Sequence, residues 1–128
     1  MHTWSHSYHA SVLFFAIPFF ALEAGANASL QCKGNPKLVD ACYIVRGRAT
    51  FGPGTPALRI WPVGTKRMLG VTAGPVADDA DDPIVPKNLT FDSSKEVFGD
   101  FEVCPFTHER KGEMQTVCVQ SVKNLSIK

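Results

Sequence analysis

Five basic residues and a tryptophan lie in a stretch of the chain that has no acidic residue. The stretch runs between Asp40 and Asp78. Guanidinium and ammonium groups bind carboxylates and other oxyanions, and an indole ring stacks on sugars, bases or cations. The pattern predicts an anion-binding face. The alternative is the solvated outer face of a sheet, where charges also prevent edge pairing. The candidate ligand-binding residues are Arg46, Arg48, Arg59, Trp61, Lys66 and Arg67.

Four aspartates lie close together further along the chain, at Asp78, Asp79, Asp81 and Asp82. Carboxylates are ligands for Ca²⁺, but this run lacks the alternate spacing and the glycine of an EF-hand loop. A solvated loop is the alternative, and the sequence predicts no metal site and no cofactor.

The sequence offers no clear catalytic group. Beyond residue 28 the chain has a single histidine, His108, with no evident serine or reactive cysteine partner. We expect His108 to be exposed in a loop, and we expect the protein not to be an enzyme.

The four cysteines are expected to form two disulfides if the chain is exported to an oxidising compartment. A hairpin register that places Cys104 opposite Cys118 leaves a loop of common length and brings the two Cβ atoms near disulfide range. Cys32 and Cys42 would then close over the turn at Asn35. The two other connectivities remain alternatives, and Cys32–Cys118 would gain more loop entropy. A zinc site is disfavoured because no C-x₂₋₄-C pair is present.

Alternation of apolar and polar residues predicts five β-strands and no helix. Gly47 interrupts the apolar face of the first strand, which predicts a bulge or a sharp bend. The segment 73–94 has three prolines and no periodicity, so it is expected to be a long loop. The fold class is therefore all-β, a five-stranded antiparallel barrel or sandwich with disulfides. The predicted strands are 42–51, 57–61, 65–72, 95–106 and 113–122.

The amino-terminal region resembles a secretion signal. Residues 11–22 form an apolar run of twelve, long enough for a signal-peptide core and shorter than the roughly 20 residues that span a bilayer. Ala26 and Ala28 supply the small residues that a signal peptidase needs. We expect residues 1–28 to be the signal peptide and 29–128 a single small β domain, with no membrane span after cleavage. An uncleaved anchor is the alternative, since no Lys or Arg precedes the run.

Two stretches of the chain resemble a known pattern. The run V-R-G-R-x-x-F-x-G-x-x-P-x-x-R-I-W-x-x-G-T-x-R-x-L-G-V, from Val45 to Val71, is similar to small exported bacterial proteins of unassigned function. The run F-x-D-F-x-V-C-P, from Phe98 to Pro105, resembles their carboxy-terminal half. This resemblance implies export and a bacterial origin, and it implies no activity.

The predicted strand pattern also resembles the OB-fold. The shared features are five strands, a glycine in the first and a long insertion between the third and fourth. OB barrels bind oligonucleotides or sugars on the face of strands two and three. The helix usual in that insertion has no counterpart in the pattern.

The function expected from the sequence is binding. The chain has 13 basic and 12 acidic residues, and its net charge of +1 is too small to indicate a specific nucleic-acid binder. We expect a periplasmic or extracellular module whose basic strand face meets an anionic polysaccharide or an acidic protein surface. The alternatives are a structural or interaction domain of the cell envelope and, less favoured, an enzyme.

Overall fold

Five strands form a closed barrel in the computed structural model, which describes residues 3–4, 7, 9–19, 31–78 and 81–128. No helix occurs among these residues, and two disulfides are present. The predicted all-β, five-stranded, disulfide-bonded fold is therefore confirmed. The strands are β1 (Tyr43–Phe51), β2 (Leu58–Pro62), β3 (Leu69–Val71), β4 (Val97–Pro105) and β5 (Gln115–Ile127).

The barrel is mixed, where the sequence predicted only antiparallel pairs. Around the barrel the order is β1-β2-β3-β5-β4, and β4 closes onto β1. Four of the pairings are antiparallel, and β3 pairs with β5 in parallel. The parallel pair follows from the order of the strands. β2 and β4 are antiparallel to β1, and β3 and β5 are antiparallel to β2 and β4, so β3 and β5 run in the same direction.

Apolar side chains from alternate strand positions fill the barrel. Phe101 lies at zero exposure in this core, together with Ile60 and Leu69. On β1 and β2 the intervening positions point outward, and the candidate arginines and Trp61 occupy them. Period-two patterning thus separates the core from the predicted binding face.

Two glycines face each other across β1 and β4 inside the barrel and leave room for residues of the neighbouring strands β2 and β5. Gly47 pairs with Gly99 across these strands. A Cβ at Gly47 would lie 2.7 Å from Cγ2 of Ile60, and a Cβ at Gly99 would lie 2.8 Å from Cγ1 of Val122. The irregularities in register lie between β4 and β5, one of them at Gly99, and none interrupts the pairing of β1. Gly47 is therefore a site of close packing. The register irregularity lies at Gly99, the partner of Gly47 on β4.

Two predicted strand limits were wrong. β3 has only three residues, because Thr65 and its neighbours form a turn. β5 continues to Ile127, which pairs with Val97, so the polar tail is part of the sheet. The predicted hairpin register, with Cys104 opposite Cys118 and Val103 opposite Val119, is confirmed. A register shift lies between Glu102 and Val103.

The predicted disulfide connectivity was wrong. The bonds join Cys32 to Cys118 and Cys42 to Cys104. Closure of the barrel pairs Tyr43 with Val103, which brings Cys42 beside Cys104, with Cα atoms 4.1 Å apart. Cys104 therefore has a cysteine neighbour on each side, and it bonds to Cys42, the residue that precedes β1. The loops closed are long, so each bond stabilises the fold by about 4–5 kcal/mol in the chain-entropy model.

The apolar amino-terminal run lies outside the barrel. Residues 9–19 form neither helix nor strand, and Phe14 and Phe19 are 93% and 98% exposed. No helix in the described part of the chain is long and apolar enough to cross a membrane. The expected cleavage point after Ala28 lies outside the described residues.

Candidate functional site

The six candidate binding residues divide between a strand face and a loop. Arg46, Arg48, Arg59 and Trp61 share the outer face of β1 and β2. Arg59 supports the β1–β2 turn, and the adjacent pair Lys66 and Arg67 lies in the loop between β2 and β3. The structure therefore does not bring all six onto one surface.

The arginines on the strand face already have acidic neighbours. Arg46 lies 3.5 Å from Asp100, its partner across β1 and β4, and Arg48 lies 3.5 Å from Glu96. These pairs are long and partly exposed, so each contributes little to stability. The guanidinium of Arg48 also lies over the ring of Trp61, 4.8 Å from its centroid. The indole face that was expected to stack on a ligand is thus covered by Arg48.

Asp100 is held as a carboxylate by its neighbours. The side-chain amide of Asn124 donates a hydrogen bond of 2.7 Å to Oδ2 of Asp100, and Arg46 adds a weaker attraction. The hydrogen bond from Asn124 is the main reason that the pKa of Asp100 is lowered, because it stabilises the charged form. The negative charge beside Arg46 therefore persists into acidic solution.

Arg59 is bound to the backbone of its own turn. Its Nε donates to the carbonyl of Pro56 at 2.9 Å, and Nη2 donates to the carbonyl of Pro53 at 2.8 Å. The turn contains Gly54 at a φ of +89°, a conformation that favours glycine. Because these contacts occupy its guanidinium, Arg59 acts as a support for the β1–β2 turn.

A cleft of about 790 Å³ opens at one end of the barrel, between the β2–β3 and β4–β5 loops. Its volume lies within the range of about 300–1,000 Å³ common for ligand sites. Basic side chains outnumber acidic ones in its lining, and two methionines supply apolar surface. The lining residues are Lys66, Arg67, Met68, Glu109, Arg110, Lys111, Gly112, Glu113 and Met114.

The β2–β3 wall of this cleft is fixed by hydrogen bonds around Thr65. The Nε1–H of Trp61 donates to the Thr65 carbonyl, and the Thr65 hydroxyl donates to the Pro62 carbonyl at 2.8 Å. The Arg67 amide in turn donates to the Thr65 hydroxyl at 3.2 Å. Gly64, at a φ of +81°, lets the chain turn here. Trp61 therefore positions Lys66 and Arg67 even though it does not line the cleft.

The β4–β5 wall is tied to the barrel at its base. The Thr116 amide donates to the hydroxyl of Thr107 at 2.9 Å, and the side chain of Gln115 donates to the Thr107 carbonyl at 2.9 Å. His108 is exposed, as predicted, and its Nδ1 lies 2.8 Å from Asp40. The loop that carries Arg110 is thereby held by contacts with the start of β5 and by the contact of His108 with Asp40.

Arg67 links the two walls. Its Nη2 donates to Oε1 of Gln115 at 2.8 Å, and its Nε lies 3.1 Å from Glu109. The hydroxyl of Tyr43 donates to the same oxygen of Gln115 at 2.7 Å. Burial is the main reason that the pKa of Tyr43 is raised, although the hydrogen bond with Arg67 opposes this. Tyr43 is therefore a neutral donor in this network at ordinary pH.

Three cations of the cleft have no salt bridge within the described part of the chain. They are Lys66, Arg110 and Lys111. Lys66 was a candidate from the sequence, whereas Arg110 and Lys111 were missed. The signal available was two adjacent basic residues in a predicted hairpin loop, but nothing in the sequence showed that this loop faces Lys66.

The described aspartates of the loop between β3 and β4 lie at the end of the barrel opposite this cleft. Asp78, Asp81 and Asp82 line a recess of about 190 Å³ beside the β1–β2 turn, at the opposite end of the barrel, and Asp79 is outside the described residues. Within the described ranges, the only side chains grouped closely enough to hold a metal ion are three disulfide-bonded cysteines. The three aspartates that the structure describes are therefore not gathered into a cation site.

Comparison with known proteins gives no relative. The chain matches no model of a protein family, no curated protein and no solved structure.

Proposed function

We propose that this protein is a binding module for an anionic partner, and that the cleft between the β2–β3 and β4–β5 loops is its main contact. The observation that carries the proposal is the grouping of Lys66, Arg110 and Lys111 around one concave surface without carboxylate partners in the described chain. An anionic ligand would supply the missing carboxylates or sulfates.

The concave shape strengthens this interpretation. Charges within a cleft are less screened by salt than charges on a convex face. By contrast, Arg46 and Arg48 on the strand face have Asp100 and Glu96 beside them. An anion arriving there would have to displace these carboxylates, so the strand face is the weaker part of the proposed surface.

The barrel form is consistent with a binding role. OB barrels, which the strand pattern resembles, use strands two and three and the loop between strands four and five to hold ligands. The cleft includes that last loop. This analogy concerns position only, since one fold carries many functions.

A structural role is the second candidate function. It is favoured by Arg59, whose guanidinium is bound to two carbonyls of its own turn, and by the stacking of Arg48 on Trp61. In that case the basic residues would stabilise the barrel, and no anionic ligand would bind.

Export is part of the proposal. Two disulfides are compatible with an oxidising environment outside the cytoplasm. The exposed apolar run within residues 9–19 packs on no core residue of the barrel, as expected for a signal peptide. We infer a periplasmic or extracellular site of action.

Salt elution from immobilised heparin and polyglutamate tests the binding proposal. Exposed ion pairs contribute about 0.2–1 kcal/mol each, so removal of three cations should weaken binding by about 3-fold to 150-fold. The cleft variant combines Lys66→Ala, Arg110→Ala and Lys111→Ala. A control variant removes equal charge elsewhere through Lys33→Ala, Lys87→Ala and Lys95→Ala.

We expect the cleft variant to elute at lower salt than the control. Equal elution of the two variants would mean that net charge, and not the cleft, governs binding. A loss confined to an Arg46→Ala/Arg48→Ala variant would transfer the site to the strand face. Failure of the wild-type protein to bind either matrix would favour the structural role.

A further inference from the structure

Two methionines contribute apolar surface to the cleft, which an anion site alone does not require. Met68 and Met114 are each 38% exposed and both line the cleft. Methionine side chains adapt to the shape of apolar partners, and they are common on surfaces that bind peptides. A ligand made only of charged or hydroxyl groups would leave these thioethers poorly covered.

Met114 packs against β3. Its sulfur lies 2.7 Å from where a Cβ of Gly70 would stand, and Cγ of Pro56 lies 2.6 Å from the same point. A larger residue here would push the flexible Met114 side chain aside. Gly70 therefore leaves room for Met114 over the strand.

The cations of the cleft come from both of the loops that form it. Lys66 is on the β2–β3 loop, and Arg110 and Lys111 are on the β4–β5 loop. A guanidinium and a carboxylate can form two parallel hydrogen bonds, which favours acidic groups held in a fixed geometry. A matching ligand would carry both acidic and apolar groups.

We propose that the cleft binds an acidic peptide segment that also carries apolar side chains, in preference to a polysaccharide. This inference rests on the proposed function. The acidic side chains contact Lys66, Arg110 and Lys111, and the apolar ones cover Met68 and Met114. A sulfated or uronic polysaccharide satisfies the cations but offers no aliphatic group to the methionines.

Binding to three probes by isothermal titration calorimetry tests the inference. The probes are a peptide that alternates glutamate pairs with leucine pairs, an all-glutamate peptide of equal charge, and heparin. Covering the exposed part of one methionine should strengthen binding of the mixed peptide by about 3- to 7-fold. In a Met68→Gln variant the ratio of the affinities for the mixed and the all-glutamate peptide should shrink by that factor, whereas Met68→Leu should retain the ratio.

The outcomes separate the two levels of the proposal. Tighter binding of the mixed peptide, lost in Met68→Gln and kept in Met68→Leu, supports the inference. Equal affinity for the two peptides, or tighter binding of heparin, would overturn the peptide preference and leave the anionic-partner function standing. If none of the three probes binds, both are wrong.

Discussion

Replacement of Gly47 by alanine should destabilise the barrel measurably. The added Cβ would lie 2.7 Å from Cγ2 of Ile60 and 3.3 Å from the carbonyl oxygen of Trp61, so it meets both a core side chain and backbone. Overpacking of one carbon in a filled core costs about 1–3 kcal/mol. Lower chain entropy in the unfolded state offsets about 0.4–1 kcal/mol of this. At the middle of both ranges the net expected loss is about 1.3 kcal/mol.

The matched control is Gly52→Ala. A Cβ at Gly52 would lie 3.7 Å from Nη1 of Arg59, an ordinary contact, and its φ is not positive. This variant should be unchanged or slightly more stable. Urea unfolding followed by circular dichroism measures both, and an unchanged m-value shows that the same surface is exposed. If Gly47→Ala proved as stable as Gly52→Ala, the close approach of β1 to the core would be refuted.

Three further predictions concern single contacts. Replacing both Cys42 and Cys104 by serine should cost about 4 kcal/mol in urea unfolding, and an unchanged midpoint would contradict the observed bond. Asn124→Gly removes the donor to Asp100, and glycine still allows the positive φ of +52° at this position. The pKa of Asp100 should therefore rise, which a carboxyl NMR titration measures. The stability that Asp100 adds is present above the ordinary carboxyl pKa and is lost as pH falls through its lowered pKa. Arg59→Lys should lower stability by about 1 kcal/mol while leaving heparin affinity unchanged, and the opposite pattern would make Arg59 a ligand contact.

Local features of the chain were predictable from the sequence. The register of the β4–β5 hairpin near Cys104 followed from alternation and loop length, because both act between neighbouring residues. The extension of β5 to Ile127 was missed, since the tail is short and mostly polar, with only Leu125 and Ile127 apolar, and its pairing with β4 depends on the closed barrel.

Features that join distant parts of the chain were not predictable in this way. The Cys42–Cys104 bond depends on the pairing of β1 with β4, which no local pattern specifies. The cleft has the same origin, because it brings Lys66 of one loop near Arg110 of another. The sequence predicted that basic residues matter, and the fold determined which of them share a surface.

The central claim, that the cleft is the binding site, is tested most directly by amide chemical shifts. Titration of the ¹⁵N-labelled protein with the all-glutamate peptide should move the signals of residues 66–68 and 109–114 first and furthest. Signals of the outer β1 residues Arg46 and Arg48 should move little. Shifts concentrated at Arg46 and Arg48, or spread evenly over all exposed lysines, would contradict the account.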